Sequence, residues 1–424
     1  MSCAHWLTTF AIDAPRIVFG HGALDELGDS VRGLGCTRVA LFTDASVAKL
    51  ELVVRARKSL EGAGVDAAVY DAVHVEPTDA SFLDAARFAT EGRFDGYVSV
   101  GGGSVIDTCK AAALFATYPA PFLDYVNAPV GEGRAPPGAL PPHVACPTTC
   151  GTGSETTGIA VCDILALKAK TGIASARLRP SLALVDPTCT YTLPPEVVAA
   201  SGFDVLCHAL ESFTAKPFNR RERTPVRPMS QGANPWSDMG STKALSLVGQ
   251  HLIRAVNDPS DHEARDALAW AATLAGIAFG NAGVHVPHAM AYAVAGLVKT
   301  FRMNGYPQDE PLIPHGISVV ASAPSAFAFT ASGCPERHLA AAVMIGGDDA
   351  RSASPKDAGD ALCRALGALM REARVPPHLG AIGYTMSDVT ALTKGTIVQK
   401  RLLSNAPRDV GEEDLANIFA RAMS

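Results

Sequence analysis

The sequence has few charged and few aromatic side chains. Charged residues make up 18% and aromatic residues 6% of the 424 residues, whereas hydrophobic residues make up 48%. This composition excludes a disordered chain, because disorder requires low hydrophobicity together with high net charge. With a net charge of −6, the chain also lacks the positive charge that nucleic acids and anionic membranes attract. We therefore expect a partner of neither kind.

The sequence also lacks paired cysteines, long apolar runs and a recognisable leader. The ten cysteines form no CxxC pair, and Cys146 and Cys150 have no further zinc ligands in register. We therefore expect reduced, mostly buried thiols. No apolar run is long enough to span a membrane, and residues 1–20 lack the basic and apolar regions of a signal peptide. Together these absences predict a cytoplasmic protein.

Two kinds of sequence pattern divide the chain. Up to residue 193, short β-branched runs alternate with helical patterns, which is typical of a parallel sheet. Strands are predicted at 38–42, 66–70, 96–100, 143–146, 158–161 and 182–185, and helices at 46–62, 80–91 and 105–116. After residue 196, alanine and leucine recur at helical spacing. We predict an α/β nucleotide-type domain at 1–193 and an all-helical domain at 194–424.

Two glycine-rich loops in the first half are candidates for binding phosphate. Gly101 to Ser104 lie between a predicted strand and a predicted helix, with Asp107 on the first turn of that helix. Glycines let backbone amides approach an anion closely, and a helix N-terminus adds positive charge. A plain strand–helix turn has the same pattern. However, PTTCGTGSETT at 147–157 again places hydroxyls and glycines after an apolar strand. Two such loops predict a nucleotide site.

Asp44 ends the first predicted strand of the alternating region. A carboxylate at that place accepts hydrogen bonds from ribose hydroxyls and repels a 2′-phosphate, so it favours NAD over NADP. The same side chain can cap the helix that follows, and the two roles are compatible.

Four residues in the second half suggest a metal site. Asp204 and His208 are four residues apart in a helical segment, so they project from one face of the helix. His288 and His315 add two more imidazoles. One carboxylate and three imidazoles suit Fe(II) or Zn(II), with an open position for a substrate oxygen. A single histidine in an apolar stretch is more often a core residue, so the prediction depends on all four.

Taken together, these motifs resemble the iron-containing alcohol dehydrogenase family. GGGSVIDTCKA, PTTCGTGSETT, GFDVLCHALE, NAGVHVPHAM and PHG occur in the order and at the spacing of that family. The resemblance implies a dehydroquinate-synthase-like fold with an α/β nucleotide-binding domain and an all-α metal-binding domain. It also implies NAD, a divalent metal and a homodimer. The implied metal ligands are Asp204, His208, His288 and His315. The implied nucleotide contacts are Asp44, Gly101, Gly102, Gly103, Ser104, Asp107, Thr148, Thr149, Thr152 and Lys170.

Tyr292 distinguishes the chain from ordinary members of this family, which carry a histidine four residues after the third metal ligand. Together with VEPTDASF, FLDYVNAPVGEG and AGLVKTF, it makes the chain similar to the hydroxyacid-oxoacid transhydrogenase branch. The resemblance implies oxidation of 4-hydroxybutyrate coupled to reduction of 2-oxoglutarate through bound nicotinamide. His288 and Tyr292 are the implied catalytic residues. Three roles stay open for Tyr292: it orients the substrate, it relays a proton, or it only fills space in the protein.

Other interpretations stay open at this point. A dicarboxylate substrate requires a cation, for which the sequence offers Lys299, Arg302 and, in a Pro- and Arg-rich insert at 217–238, Arg220, Arg221, Arg223 and Arg227. That insert is either functional or disordered. The rival functions are an NAD-dependent alcohol dehydrogenase with exchanging cofactor, a lyase of the dehydroquinate synthase type, and a non-catalytic metabolite-binding protein.

Overall fold

The structure is a computed structural model that describes residues 7–167 and 169–424. The chain forms two compact units. One unit is Ala14–Thr192, and the other combines Leu193–Ser424 with the described residues 7–13. The sequence-based division had placed residues 7–13 in the α/β part. Their backbone instead bonds to the helical unit, since the Leu7 N–H donates to the Arg221 carbonyl at 2.9 Å and the Ala11 N–H to Gln231 Oε1 at 2.8 Å.

The strands of the first unit are β1 (Arg16–Phe19), β2 (Arg38–Asp44), β3 (Asp66–Val73), β4 (Gly96–Gly101), β5 (His143–Pro147), β6 (Ile159–Ile164), β7 (Ala169–Ala174) and β8 (Leu182–Val185). Six of them form a parallel sheet in the order β1-β8-β5-β4-β2-β3. Both faces of the sheet are covered: Val39 and Leu41 belong to one core cluster, whereas Ala40 and Phe42 belong to another. Successive residues of a strand point to opposite faces, which explains this division.

Strands β6 and β7 form a separate antiparallel ribbon. The sequence had predicted a strand at 158–161 within the series of the parallel sheet, and the structure places that segment in the ribbon instead. Ala160, Cys162 and Ile164 alternate with less buried residues and pack in a cluster with Leu114 and Phe82. A ribbon with one buried face needs no second cover of helices.

Among the described residues of this unit, the α-helices are α1 (Leu27–Gly33), α2 (Glu51–Gly62), α3 (Asp79–Gly92), α4 (Gly103–Thr117) and α5 (Phe122–Tyr125). Helix α2 begins at Glu51, later than the predicted residue 46, because Val47–Lys49 forms a separate 3-10 turn. Helix α4 begins at the glycine-rich loop. Its residues from Val105 to Phe115 are all buried, so the helix is fixed under that loop.

The second unit is helical. Its helices are α6 (Pro195–Thr214), α7 (Pro235–Asn257), α8 (His262–Ala282), α9 (Val286–Gly296), α10 (His315–Val320), α11 (Ala323–Thr330), α12 (Pro335–Met344), α13 (Ala358–Glu372), α14 (Val389–Ile397), α15 (Lys400–Leu403) and α16 (Glu412–Arg421). The predicted fold class, an α/β part followed by an all-α part, is confirmed. Among the described helices none spans a membrane by itself on length and hydropathy, although α8 and α9 pass together as a pair bent by 103°.

The Pro- and Arg-rich insert is ordered by specific contacts. Asn234 caps α7, since its Oδ1 accepts from the N–H groups of Trp236 and Ser237 at 3.1 and 3.0 Å. Arg227 donates to the Thr9 carbonyl oxygen at 2.8 Å. The insert therefore holds the segment that precedes the sheet unit against the helical unit, a structural role that the sequence did not indicate.

Candidate metal centre and nucleotide loops

Helix α6 places Asp204 and His208 on one face, as their spacing predicted. The two residues are almost completely buried, with 1% and 4% of their surface exposed. Helices α7, α8 and α10 pack around α6. The ring of His208 stacks on Phe279 of α8 with 4.0 Å between the ring centroids. This packing fixes the orientation of the imidazole.

Helices α9 and α10 bring two more imidazoles to the same carboxylate. His288 Nε2 lies 3.4 Å from Asp204 Oδ1, and His315 Nε2 lies 3.7 Å from that oxygen. His208 Nδ1 is also 3.7 Å away. The three histidines that the sequence predicted as metal ligands therefore surround one oxygen atom of the fourth predicted ligand, Asp204.

Gly316 allows α10 to approach α6 closely enough for this arrangement. A Cβ atom at Gly316 would lie 1.9 Å from the carbonyl oxygen of Ala200, far inside van der Waals contact. Only glycine fits between the two helices without displacing one of them. Because His315 directly precedes Gly316, the close approach also sets the distance from His315 to Asp204.

The donor atoms fit a divalent cation. Asp204 Oδ1, His208 Nδ1 and His288 Nε2 are buried without a hydrogen-bond partner in the described part of the chain, and ligand atoms of these residues lie within 4.8 Å of one another. A buried polar atom without a partner costs about 1–3 kcal/mol. Two atoms bound at about 2.1 Å to one tetrahedral ion lie about 3.4 Å apart, close to the separations around Asp204 Oδ1. A cation at this place would satisfy all three atoms.

The pKa shifts of the cluster residues show that this place favours a positive charge. Burial lowers the pKa of His208 to about 3, so its ring is neutral at pH 7. Burial raises the pKa of Asp204, but the three neighbouring imidazoles outweigh burial and lower that pKa well below its usual range. Burial lowers the pKa of His288, yet Glu211 and Asp204 outweigh burial and raise it to about 10. The two carboxylates therefore favour positive charge at this place.

Glu211 is the residue of this cluster that the sequence reasoning missed. Its Oε1 lies 2.5 Å from His288 Nδ1, and its side chain is completely buried. The signal was present, because residues 204, 208 and 211 share one face of α6 at helical spacing. The sequence analysis selects only the first two of them, Asp204 and His208.

Tyr292 lies one turn after His288 on α9, and its side chain is half-buried. The placement agrees with a position near the cluster, because residues four apart share one face of a helix. The catalytic roles of Tyr292 and His288 stay predictions.

The two glycine-rich loops of the sheet unit lie against each other. A Cβ atom at Gly102 would lie 3.3 Å from Thr149 Oγ1, and one at Gly103 would lie 2.7 Å from Thr152 Oγ1. The Thr148 N–H donates to the Gly101 carbonyl at 3.0 Å. The predicted loops thus form one surface of glycines and hydroxyls at the carboxyl ends of β4 and β5. Such a cradle suits nucleotide phosphates.

Asp44 ends β2, the strand beside β4. The strand order reverses between these two strands, since β3 lies on one side of β2 and β4 on the other. In open α/β sheets, ligands bind at such a reversal. Asp44 Oδ1 also caps the following turn, accepting from the Ser46 N–H at 2.8 Å and the Val47 N–H at 3.0 Å.

Asp107 contacts other parts of the sheet unit through both of its carboxylate oxygens. Its Oδ2 accepts from the Val161 N–H at 2.9 Å, and its Oδ1 accepts from the Ser154 hydroxyl and lies 3.4 Å from Lys110 Nζ. Both oxygens are thus engaged within the protein. Asp107 therefore connects α4 to the second loop, and its contact with a nucleotide stays a prediction.

Lys170 is likewise engaged inside the protein. Its Nζ lies 2.7 Å from Glu76 Oε2 and 3.0 Å from Asp163 Oδ2. The Glu76 N–H donates to Ser104 Oγ at 3.1 Å. Lys170 and Ser104, two predicted nucleotide contacts, therefore meet through Glu76, which the sequence reasoning had not selected.

Four of the six predicted substrate cations already have partners. Lys299 pairs with Asp388 at 2.6 Å, and Arg302 donates to the Gln308 carbonyl at 3.1 Å. Arg221 bonds to Asn405, and Arg227 bonds to Thr9 as described above. Arg220 and Arg223 are exposed. No described contact joins any of these six cations to the four proposed metal ligands.

Comparison with known proteins identifies the family. Residues 14–187 match the family model described as iron-containing alcohol dehydrogenase, and residues 198–423 match that of the C-terminal part of the same family. The chain belongs to the iron-containing alcohol dehydrogenase family. It is therefore an enzyme and an oxidoreductase, and the resemblance seen in the sequence is confirmed.

Relatives within this family are named hydroxyacid-oxoacid transhydrogenase, mitochondrial. That of Xenopus tropicalis is 49% identical over 98% of this chain and 90% of its own length, and that of Homo sapiens is 47% identical with the same coverage. These mitochondrial relatives contradict the cytoplasmic location expected above, so that prediction is wrong. It rested on features missing from the first residues, and such absences do not identify a compartment.

Solved structures of the family share the fold. A 1,3-propanediol oxidoreductase superposes with a TM-score of 0.85 at 28% identity, covering 98% of this chain and all of the other. A sulfoacetaldehyde reductase from Bifidobacterium kashiwanohense, solved in complex with NAD⁺, has a TM-score of 0.79 at 26% identity, covering 99% and 100%. The family and this complex fit the predicted nicotinamide cofactor and metal.

Proposed function

We propose that the protein is a hydroxyacid-oxoacid transhydrogenase. It transfers a hydride from a hydroxy acid of the 4-hydroxybutyrate type to an oxo acid of the 2-oxoglutarate type, with nicotinamide as the intermediary. The observation that carries this proposal is the 49% identity to a relative of that name over 98% of the chain. The buried cluster around Asp204 supports it, because its donor set suits a catalytic cation.

In this proposal, Asp204, His208, His288 and His315 hold a divalent metal. The donor set, one carboxylate and three imidazoles, suits Fe(II) and Zn(II) alike. A bound divalent ion acts as a Lewis acid that makes a substrate hydroxyl more acidic and polarises a carbonyl. The protein contributes the fixed orientation of the ligands: Phe279 stacks on His208, and Gly316 lets His315 approach Asp204.

The sheet unit holds the nucleotide. We propose that the amides at Gly102 to Ser104 and the hydroxyls of Thr149 and Thr152 contact the phosphates, since these loops form one surface. Asp44 uses Oδ1 to cap the turn and offers Oδ2 to the ribose. NAD supplies the hydride chemistry. Tyr292 orients the substrate by its phenolic oxygen.

The proposal is tested by turnover without added cofactor. Purified protein is incubated with 4-hydroxybutyrate and 2-oxoglutarate in the absence of NAD, and 2-hydroxyglutarate is measured. We expect one 2-hydroxyglutarate for each 4-hydroxybutyrate consumed, and no product from the His288→Ala variant. Turnover that depends on added NAD and proceeds without an oxo acid would instead establish an alcohol dehydrogenase. Homodimerisation and the absence of nucleic-acid or membrane partners stay predictions.

A further inference from the structure

Every described hydrogen bond of the Glu211 carboxylate goes to the segment that carries His288. Oε1 lies 2.5 Å from His288 Nδ1. Oε2 accepts from the backbone N–H of His285 at 2.5 Å and from that of His288 at 3.4 Å. The exposed fraction of the Glu211 side chain is 0%, so no bulk water competes for these contacts.

These contacts fix the first turn of α9 against α6. His285 is the N-cap residue of α9, and its side chain caps no amide of the helix. The first amides of a helix have no partner within the helix, and a carboxylate there is favoured by the helix dipole. Glu211 supplies that carboxylate from the helix that also carries Asp204 and His208. One helix therefore provides two of the four proposed ligands and positions a third.

Glu211 also determines which nitrogen of His288 is available to a metal. A carboxylate only accepts hydrogen bonds, so the Nδ1 atom of His288 donates to it. In the neutral ring, Nε2 then carries the lone pair. This Nε2 is the buried atom without a hydrogen-bond partner that lies 3.4 Å from Asp204 Oδ1. The lone pair of the neutral His288 ring therefore lies on Nε2, the nitrogen nearest to Asp204.

His285 provides an internal contrast to His288. The Thr214 hydroxyl donates to the Leu210 carbonyl at 2.7 Å, so it accepts from His285 Nε2 at 3.0 Å. His285 Nδ1 is 4.0 Å from Glu211 Oε2, beyond hydrogen-bond distance. Both rings are near Glu211, but only the ring of His288 is hydrogen-bonded to it.

We propose that Glu211 is a positioning residue of the metal centre, which holds the His288 ring in the orientation and tautomer that let Nε2 bind the cation. The inference rests on the metal site of the proposed function. Carboxylates that accept from the second nitrogen of a ligating histidine typically strengthen metal binding 10- to 100-fold.

The test compares Glu211→Gln with wild type and with Thr214→Val, which removes the partner of His285 and leaves the His288 contact intact. Metal-free protein is titrated with Zn²⁺ against a chromophoric chelator, and the absorption spectrum of the Co²⁺ form is recorded. We expect Glu211→Gln to lower Zn²⁺ affinity about 10- to 100-fold and to alter the Co²⁺ bands. Thr214→Val is expected to lower thermal stability while retaining the wild-type affinity and spectrum.

The outcomes separate this inference from the proposed function. Wild-type affinity and spectrum in folded Glu211→Gln would overturn the positioning role, while the metal site would stand. Wild-type protein that binds neither Zn²⁺ nor Co²⁺ would overturn the metal site itself and with it the inference. If Glu211→Gln does not fold, Glu211→Asp retains the charge with a shorter reach. Weakened Zn²⁺ binding by Glu211→Asp supports the inference, and unchanged binding overturns it.

Discussion

Lys110 Nζ lies 2.7 Å from the carbonyl oxygen of Ser154, and the side chain of this lysine is completely buried. The same ammonium group lies 2.7 Å from Ser154 Oγ and from the Ile159 carbonyl oxygen. A helix of the sheet unit is thereby joined to the second glycine-rich loop by one buried charge. Asp107 accepts from Ser154 and faces the lysine, so the charge has a counterion.

Removing this buried charge should strongly destabilise the sheet unit. Lys110→Met leaves Asp107 without its counterion and two carbonyl oxygens without their donor. The expected loss in unfolding free energy is about 3–5 kcal/mol, measured by urea denaturation. The double variant Lys110→Met with Asp107→Asn should lose less than the sum of the single variants, because no charge remains unpaired. Lys58→Met, at an exposed position of α2, is the control, and additive losses in the double variant would refute the coupling.

Glu155 should make stability decrease as the pH rises. Burial raises the pKa of Glu155 from 4.5 to about 7, against the opposing charge of Lys110. The folded state therefore binds more protons than the unfolded state between these pH values, and the stabilising effect of that proton is lost as pH rises through 7. The free energy of unfolding should therefore fall by about 3 kcal/mol between pH 4 and pH 8 because of this one pKa shift.

Urea denaturation of wild type and Glu155→Gln at pH 5, 6, 7 and 8 measures this effect. Glutamine resembles the protonated acid and does not titrate, so the variant should lack this part of the pH dependence. The advantage of the variant over wild type should grow with pH. A constant difference between the two proteins from pH 5 to pH 8 would show that Glu155 titrates normally.

Gly316→Ala should reduce metal binding although it replaces none of the four proposed ligands. The added Cβ would lie 1.9 Å from the Ala200 carbonyl, so α10 must move and carry His315 away from Asp204. We expect at least a tenfold lower Zn²⁺ affinity and a loss of about 1–3 kcal/mol in unfolding free energy. Gly367→Ala in α13 is the matched control, because its Cβ meets only the end of the Arg371 side chain at 3.4 Å. Equal Zn²⁺ affinity in the two variants would contradict the role of Gly316.

Helical spacing predicted the pair Asp204 and His208 because both lie on one element, where geometry follows from residue number. The same rule could have found Glu211. Contacts between elements have no such rule. Asp107 is hydrogen-bonded to Ser154 and Val161, and Lys170 pairs with Glu76, although these partners are distant in the sequence. A sequence motif alone therefore could not distinguish a contact with a ligand from a hydrogen bond or ion pair inside the protein. The strand at 158–161 illustrates the same limit, since its partner strand and direction depend on tertiary packing.

Asp44→Asn should relax the preference for NADH over NADPH. Asparagine retains an oxygen that can accept from the Ser46 and Val47 amides, so the capped turn stays intact while the negative charge is removed. A carboxylate at this place repels a 2′-phosphate, and we expect the ratio of the NADPH and NADH dissociation constants to fall at least tenfold, as measured by nucleotide fluorescence.

Asp44→Ala separates this charge effect from the cap. It removes both, and it should lower stability by about 1 kcal/mol in addition to relaxing the preference. Because Asp44→Asn retains the cap, its melting temperature should stay near that of wild type. If the ratio of the NADPH and NADH dissociation constants is unchanged in both variants, Asp44 only caps the turn. A ratio that changes in Asp44→Ala alone would assign the preference to the turn conformation rather than to the charge.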